Sequence, residues 1–521
     1  MGVLKNMRRQ DVQLLALARQ GDLDALCEVG QRYLQGMQGF PQYTDLGLKY
    51  LSHPALSTSE RSARIIAEGL SLGDIVRRDL ALVLAAAASA GSAAACLKLG
   101  VWRGLTQWDE EPALELWERA QSLGSETASR ALNAYKNSDD NRLLSALTTF
   151  VEEPEIATES TVAHALCEAT RAVDSALVIQ RLNFAIALPL ERGPELCDAI
   201  CDSLVFLQRN QVSLPELDSA TLHAVLEDCV ARRNAEAALL LGRASCGIDT
   251  AFALSESLVP RRNLRGGTAL LLRAADAGLS EAWLLLHRVH SDGQGSVANP
   301  QAALFFLEKA AASGNANAQR QLGAMILKSA TGIAEQELGL HWMSQAAGQD
   351  DAIAKSLLQS FVLPVQGTDD DALHVIEELQ KIDPWVAHRL RVSRHFGLTK
   401  AEATCVDVVS GVRSWGLVVS SGAADRNQRT RFGRAIPALK GQFIDSLRES
   451  AEFFRLAGEG PVLSNAEQRQ RSQKLRYRLD RSGVDESMFF AQVPTSTLTS
   501  LRHGSSWAQG VRQTLRTAIA H

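Results

Sequence analysis

Apolar residues along most of this chain return at three- and four-residue intervals, not at every second position, which is the period of helices packed by one face. The stretch FLEKAAASGNANAQRQLGAMI, Phe306 to Ile326, shows how such helices would be joined. Its alanines lie on both sides of Gly314, which is placed to end one helix in the left-handed conformation, and Asn315 is placed to cap the next. A phosphate-cradling loop would need a Gly-rich turn from strand to helix, with Lys and Ser or Thr at its end in the P-loop case. None of these is present, so the pattern predicts a joint.

The joint recurs. Gly278, Gly314 and Gly348 stand 36 and 34 residues apart, and Gly91 and Gly124 stand 33 apart, a period of one helix, a turn and a second helix. Ala87, Ala120, Ala274 and Ala310 each precede their glycine by four residues, on the face that must lie against a neighbouring helix. Beyond the turn, an Ala followed four later by an apolar residue and then Gly appears as Ala25–Val29–Gly30, Ala95–Leu99–Gly100, Ala237–Leu241–Gly242 and Ala318–Leu322–Gly323. Small residues at these positions let two helix axes approach closely.

These residues resemble the Sel1-like repeat, a relative of the tetratricopeptide repeat: Ala-x-x-x-Leu-Gly-x-x-Tyr, a Gly-rich link with Asp or Asn-Pro, and a helix closing on Ala-Ala-x-x-Gly. The best copies are AWLLLHRVHSDGQGSVANPQAALFFLEKAAASG (282–314) and ALCEVGQRYLQGMQGFPQYTDLGLKYL (25–51). His287 takes the usual Gly position and His290 the Tyr position, and the copy ending at Gly348 lacks the second small residue. The resemblance implies an all-α fold, an α/α solenoid of helix-turn-helix repeats that binds other proteins without chemistry of its own. Repeats are expected in 1–134 and 234–384, degenerate helical repeats in 135–233, and a smaller helical C-terminal domain in 385–521. The stretches at 137–140, 191–195 and 210–219 are read as breaks between helices of the middle block.

Composition fits this picture. A chain of 521 residues exceeds the size of one growing core, aromatics are 5%, and there are 14 prolines. The N-terminus runs from charges into an amphipathic pattern without the apolar core of a secretory signal, and LALVLAAAASAG from Leu80 is about half of the roughly 20 residues a membrane span needs. A cytoplasmic, bacterial-type protein without membrane insertion is expected. The eight cysteines form no Cys-x-x-Cys pair; Cys197 and Cys201 share a helix face and are read as buried packing.

Charge divides the chain. From Trp385 onward, 21 Lys and Arg stand against 11 Asp and Glu, a net +10, which leaves −15 for the remainder of a chain whose total is −5. LTKAEATCVDVVSGVRSWGLVV, Leu398 to Val419, has Thr399 and Glu402 in capping-box spacing and is read as a compact helical hairpin with a helix closing at Gly411 and Trp415 anchoring the next turn. It resembles the small glyoxalase-related helical module, with Val412 and Thr404 departing from the pattern. Ser464 and Glu467 open a helix that should end before Gly483. On it Arg471, Lys474, Arg478 and Arg481 form one stripe, with Leu475 and Leu479 on an adjacent packing face. A solvated surface is the default for such a stripe; contact with nucleic acid, an acidic protein or the chain's own acidic part is the functional alternative.

No residue set carries readable catalysis. His287, His290 and Asp292 have metal-like spacing but occupy repeat positions, and His388, His395 and Cys405 lack an oxyanion hole or an orienting carboxylate. The acidic runs at 109–111 and 369–371 suit helix starts. The expectation is a non-enzymatic scaffold or adaptor that needs no cofactor or metal and holds an unidentified protein or peptide in a groove of the repeats. The alternative is an enzyme or nucleic-acid-associated factor whose active part is the basic C-terminal region.

Overall fold

The helix joints close on one backbone geometry. In the computed structural model, residues 9–106, 110–138, 141–189, 192–212, 218–248, 259, 261–293, 295–419, 433–460, 462 and 464–519 are described. Gly91, Gly124, Gly278 and Gly314 have φ between +82° and +101°. The residue after the glycine then turns back: the amides of Ser92, Ser125 and Asn315 donate to the carbonyls of Ala87, Ala120 and Ala310. Ser125 and Asn315 cap the following helices through their side chains. The breaks expected at 137–140, 191–195 and 210–219 lie partly outside the described residues.

Gly348 is not a joint. The helix Ile333–Gly348 runs through it, and Asp350 takes the left-handed conformation with φ +65°. Asp351 caps the next helix, and its amide reaches the carbonyl of Ala346. Ala346 is thus the counterpart of Ala310, and the spacing from Gly314 to Asp350 is 36, equal to the preceding one. The sequence hides this because the turn keeps its geometry while its glycine is replaced.

The same substitution runs through the middle of the chain. Val173, Gln211 and Arg233 have φ of +56°, +55° and +66°, and the amides of Val212 and Asn234 reach the carbonyls of Leu207 and Cys229 as at the glycine joints. A left-handed L-residue costs about 1–2 kcal/mol, and a β-branched one is the most strained. Val173→Gly is therefore expected to stabilise the chain by about 0.5–1 kcal/mol, after the extra chain entropy of glycine is subtracted. A raised urea midpoint would show this; a lowered one would mean that the Val173 side chain, 69% exposed, makes up for its backbone.

The architecture is an all-α α/α solenoid arrangement of helix pairs, divided by packing into residues 1–277 and 278–521. In the first unit Leu23–Gln35 pairs with Thr44–Leu51, Ala93–Thr106 with Glu110–Ser122, and Ala235–Cys246 with Leu264–Asp276; between them Thr158–Arg171, Ser175–Ala187, Pro194–Arg209 and Ser219–Ala231 pack in succession. In the second unit Ser280–Ser291 pairs with Pro300–Ala312 and Ala316–Ser329 with Ile333–Gly348, followed by Ala352–Gln359.

Paired helices meet at facing small residues. A Cβ on Gly30 would fall 2.5 Å from Leu51 and 3.2 Å from the Gly47 carbonyl, and one on Gly323 would fall 2.9 Å from the Gly339 carbonyl. A Cβ on Gly242 would meet Leu271 at 2.9 Å, and one on Gly100 would meet Trp117 at 2.6 Å and the Ala113 carbonyl at 3.2 Å. In the pair that has His287 at this position, the imidazole Nδ1 is 2.8 Å from the Ala303 carbonyl. The histidine thus fills by a polar contact the place that glycine elsewhere leaves for close approach.

The segment after Leu398 departs from a helical hairpin. Thr399 and Glu402 make a complete capping box on Lys400–Cys405, but Asp407 caps a separate short helix, Val408–Gly411. Trp415 then leads into a strand, Gly416–Val419 (β1), antiparallel to Arg434–Pro437 (β2), with Leu417 opposite Ile436 and Val419 opposite Arg434. Both strands are buried throughout, which suits the β-branched Val418 and Val419. Gly416 lets them approach, since a Cβ there would lie 2.2 Å from the Ile436 carbonyl.

Candidate functional site

The first helices of the repeats in the second unit, Ala316–Ser329 and Ala352–Gln359, are covered by the end of the chain. The helices Gly504–Gly510 and Arg512–Ile519 pack on Ala316–Ser329, and Arg512–Ile519 also packs on Ala352–Gln359. Trp507 is the centre of this contact: its ring lies 4.8 Å from that of Phe361, and its Nε1 donates to the Ser360 hydroxyl at 2.8 Å. Leu501, Leu515 and Ala518 join Ala324, Leu327, Leu357 and Leu358 in the same core. Each large apolar side chain buried in this way contributes about 1.5–3 kcal/mol.

Polar contacts fix the register of this packing. Gln336 Nε2 donates to the carbonyls of Leu501 and Arg502 at 3.1 and 2.8 Å, and Arg320 Nε donates to that of Ala518 at 3.2 Å while its other nitrogens reach Asp351 and Asn317. Gly504 is required for the approach, since a Cβ there would lie 2.1 Å from the Leu327 carbonyl. In an aromatic-poor chain with eight tryptophans, Trp507 was the available signal; nothing in its spacing named Phe361 as its neighbour.

Three buried arginines tie the surrounding segments together. Arg434, fully buried, pairs through two nitrogens with Glu402 at 3.1 and 3.0 Å and donates to the carbonyls of Phe361 and Gly397. Burial alone would raise the Glu402 carboxyl; the Arg434 charge and the Thr399 donors outweigh it and hold that carboxyl below the usual range. Arg394 donates to the carbonyls of Gln366, Gly367 and Met488 and pairs with Asp369. Arg389 lies over the Phe454 ring and donates to the Val406 carbonyl and to Glu459. Nothing in the sequence marks these cations as buried, because burial of a charge is decided by partners distant in sequence.

The basic stripe lies on Asn465–Ser482, which Ser464 caps and left-handed Gly483 ends. Arg471 is largely buried and pairs with Glu459 at 3.0 Å and Glu467 at 2.8 Å. Lys474 and Arg478 converge on one buried carboxylate, Asp383, at 3.1 and 3.2 Å, and Lys474 also sits over the Trp385 ring. Arg481 is exposed and donates to the Tyr477 hydroxyl. The stripe is therefore not a simply solvated face; three of its members hold the helix to neighbouring segments of the same unit.

Other chemistry-bearing residues are dispersed. His388 contacts the Ser450 hydroxyl and stacks on Phe453, while His395 stacks on Phe443 and is pushed down to about 4 by burial, helped by Arg391. His290 lies against Phe306. In the first unit Cys197, Cys201 and Cys229 are buried together; burial raises Cys197 to about 11, and Arg232 donates to both Cys229 and Asp198. Among the described residues no group of three metal-ligating side chains could hold an ion, no cysteine is in a disulfide, and no helix is long and apolar enough to cross a membrane. A cavity of about 730 Å³ in the first unit is lined by His223, Glu227, Arg261, Arg262 and Arg273 among others.

No protein-family model and no curated protein matches the sequence. Among the solved structures similar to it are the following two. A protective antigen of uropathogenic Escherichia coli displaying an SLR fold is 14% identical, covers 96% of this chain and 88% of its own, and has a TM-score of 0.30. A Sel1 repeat protein from Oxalobacter formigenes is 19% identical, covers 68% of this chain and 91% of its own, and has a TM-score of 0.26. The chain is thus similar to Sel1-repeat proteins at low identity, and its description as a repeat protein rests on its own recurring joints and helix pairs.

Proposed function

We propose that the protein is a non-catalytic helical-repeat scaffold that binds a protein or peptide on the face of its first repeat helices. The observation that carries this reading is the intramolecular one: a helical segment anchored by Trp507 lies on Ala316–Ser329 and Ala352–Gln359. A surface that takes a tryptophan-anchored helix of its own chain has the apolar floor and backbone-directed amides that helix-in-groove recognition uses. The C-terminal helices then act as a resident occupant with which a partner helix competes. The alternative, nucleic-acid contact through the stripe, is weakened by the engagement of Arg471, Lys474 and Arg478 with Glu459, Glu467 and Asp383.

The test uses a fluorescent peptide of residues 495–519 added to the full-length protein. Trp507→Ala loosens the resident segment, so the peptide should bind this variant saturably and bind the unaltered protein at least about tenfold more weakly, because the tethered segment acts at high effective concentration. Absence of binding to both would remove the helix-binding surface from the account.

A further inference from the structure

The C-terminal helices and the repeat helix beneath them leave a cavity of about 860 Å³ whose walls carry Lys328, Arg512 and Arg516. Lys328 comes from Ala316–Ser329, and the two arginines come from one helix at i and i+4. Like charges at that spacing repel, and an anion between them would relieve the repulsion. Among the described residues the lining contains no carboxylate, and the sequence has no Asp or Glu after Glu486, whereas Arg502, Arg512 and Arg516 follow it. The wall is also apolar: Ala508, Leu515 and Ile519 line the same space.

Positive charge beside an apolar wall, in a space of small-molecule size, defines the ligand class. We propose that this cavity binds a small organic anion with an apolar body, its carboxylate or phosphate monoester meeting Arg512, Arg516 and Lys328 and its hydrocarbon part lying against Leu515 and Ile519. Because the cations come from both the repeat helix and the C-terminal helix, the bound anion bridges them and holds the C-terminal segment in place. The site itself does not depend on the scaffold reading.

Octyl phosphate is the probe, titrated calorimetrically into the full-length protein below its micelle threshold, with inorganic phosphate and octyl glucoside as the charge-only and chain-only controls. Saturable binding at one site is expected, with each control at least about tenfold weaker. The double variant Arg512→Gln/Arg516→Gln should weaken binding by about tenfold or more, since Gln keeps most of the helix propensity while the charge-assisted bonds are lost. Lys328→Gln, on the other helix, should weaken it independently. Equal affinity in the substituted proteins, no saturation, or inorganic phosphate binding as tightly as octyl phosphate would overturn the assignment.

Discussion

Replacing Arg434 with methionine is expected to destabilise residues 278–521 by about 3–5 kcal/mol, the scale of breaking a buried ion pair from one side. Methionine fills much of the space, but the Glu402 carboxylate loses its countercharge and the Phe361 and Gly397 carbonyls lose their donors. Glu402→Gln combined with Arg434→Met should recover part of the loss, because no charge is then stranded, and the two substitutions will be non-additive. The pair also sets a pH dependence. The Glu402 carboxyl is depressed in the folded protein, so its contribution is present above the unfolded value of about 4.3 and is lost as pH falls through the folded value. Urea titrations at descending pH should show this loss in the unaltered protein and its absence in Glu402→Gln. A cost below about 1 kcal/mol for Arg434→Met would mean that the pair is not the buried link described.

What could be read from the sequence follows from which interactions are local. The joints at Gly91, Gly124, Gly278 and Gly314 were readable because a left-handed residue between two helices favours glycine, and the favoured residue is present. Asp350, Val173, Gln211 and Arg233 hold the same geometry without it, so the register near Gly348 was misplaced by two residues and the middle repeats looked degenerate. Gly30, Gly242 and Gly323 could be found from the alanine five residues ahead, whereas Gly47 and Gly267 on the facing helices have no such companion and emerge only when the helices are paired. The strand at Gly416–Val419 was missed because four residues are too few for periodicity to distinguish strand from helix. Arg389, Arg394 and Arg434 were invisible for a different reason. Their partners lie far away in sequence, and no spacing rule connects Arg434 to Glu402 or Arg471 to Glu459.

The packing of the C-terminal helices has the same non-local character, and it leads to the second large effect. Gly504→Val would place its Cβ 2.1 Å from the Leu327 carbonyl and 2.8 Å from the Ala330 amide, both backbone atoms that cannot rotate aside. Overpacking of this kind costs about 1–3 kcal/mol or more when the backbone must shift. The cost falls on a segment whose attachment depends on Trp507, Leu501 and Leu515. The helices should therefore lift as a unit, while the core built on Phe396, Leu417, Leu447 and Leu479 remains closed.

Hydrogen exchange comparing the Gly504→Val and unaltered full-length proteins tests most directly whether the repeat face is covered by the chain's own end. The account predicts faster exchange in 495–519, accompanied by faster exchange in 316–329 and 352–361, with Asn465–Ser482 unchanged. Unchanged protection across 316–329 and 352–361 while 495–519 opens would contradict it, because the C-terminal helices would then not be what covers the repeats.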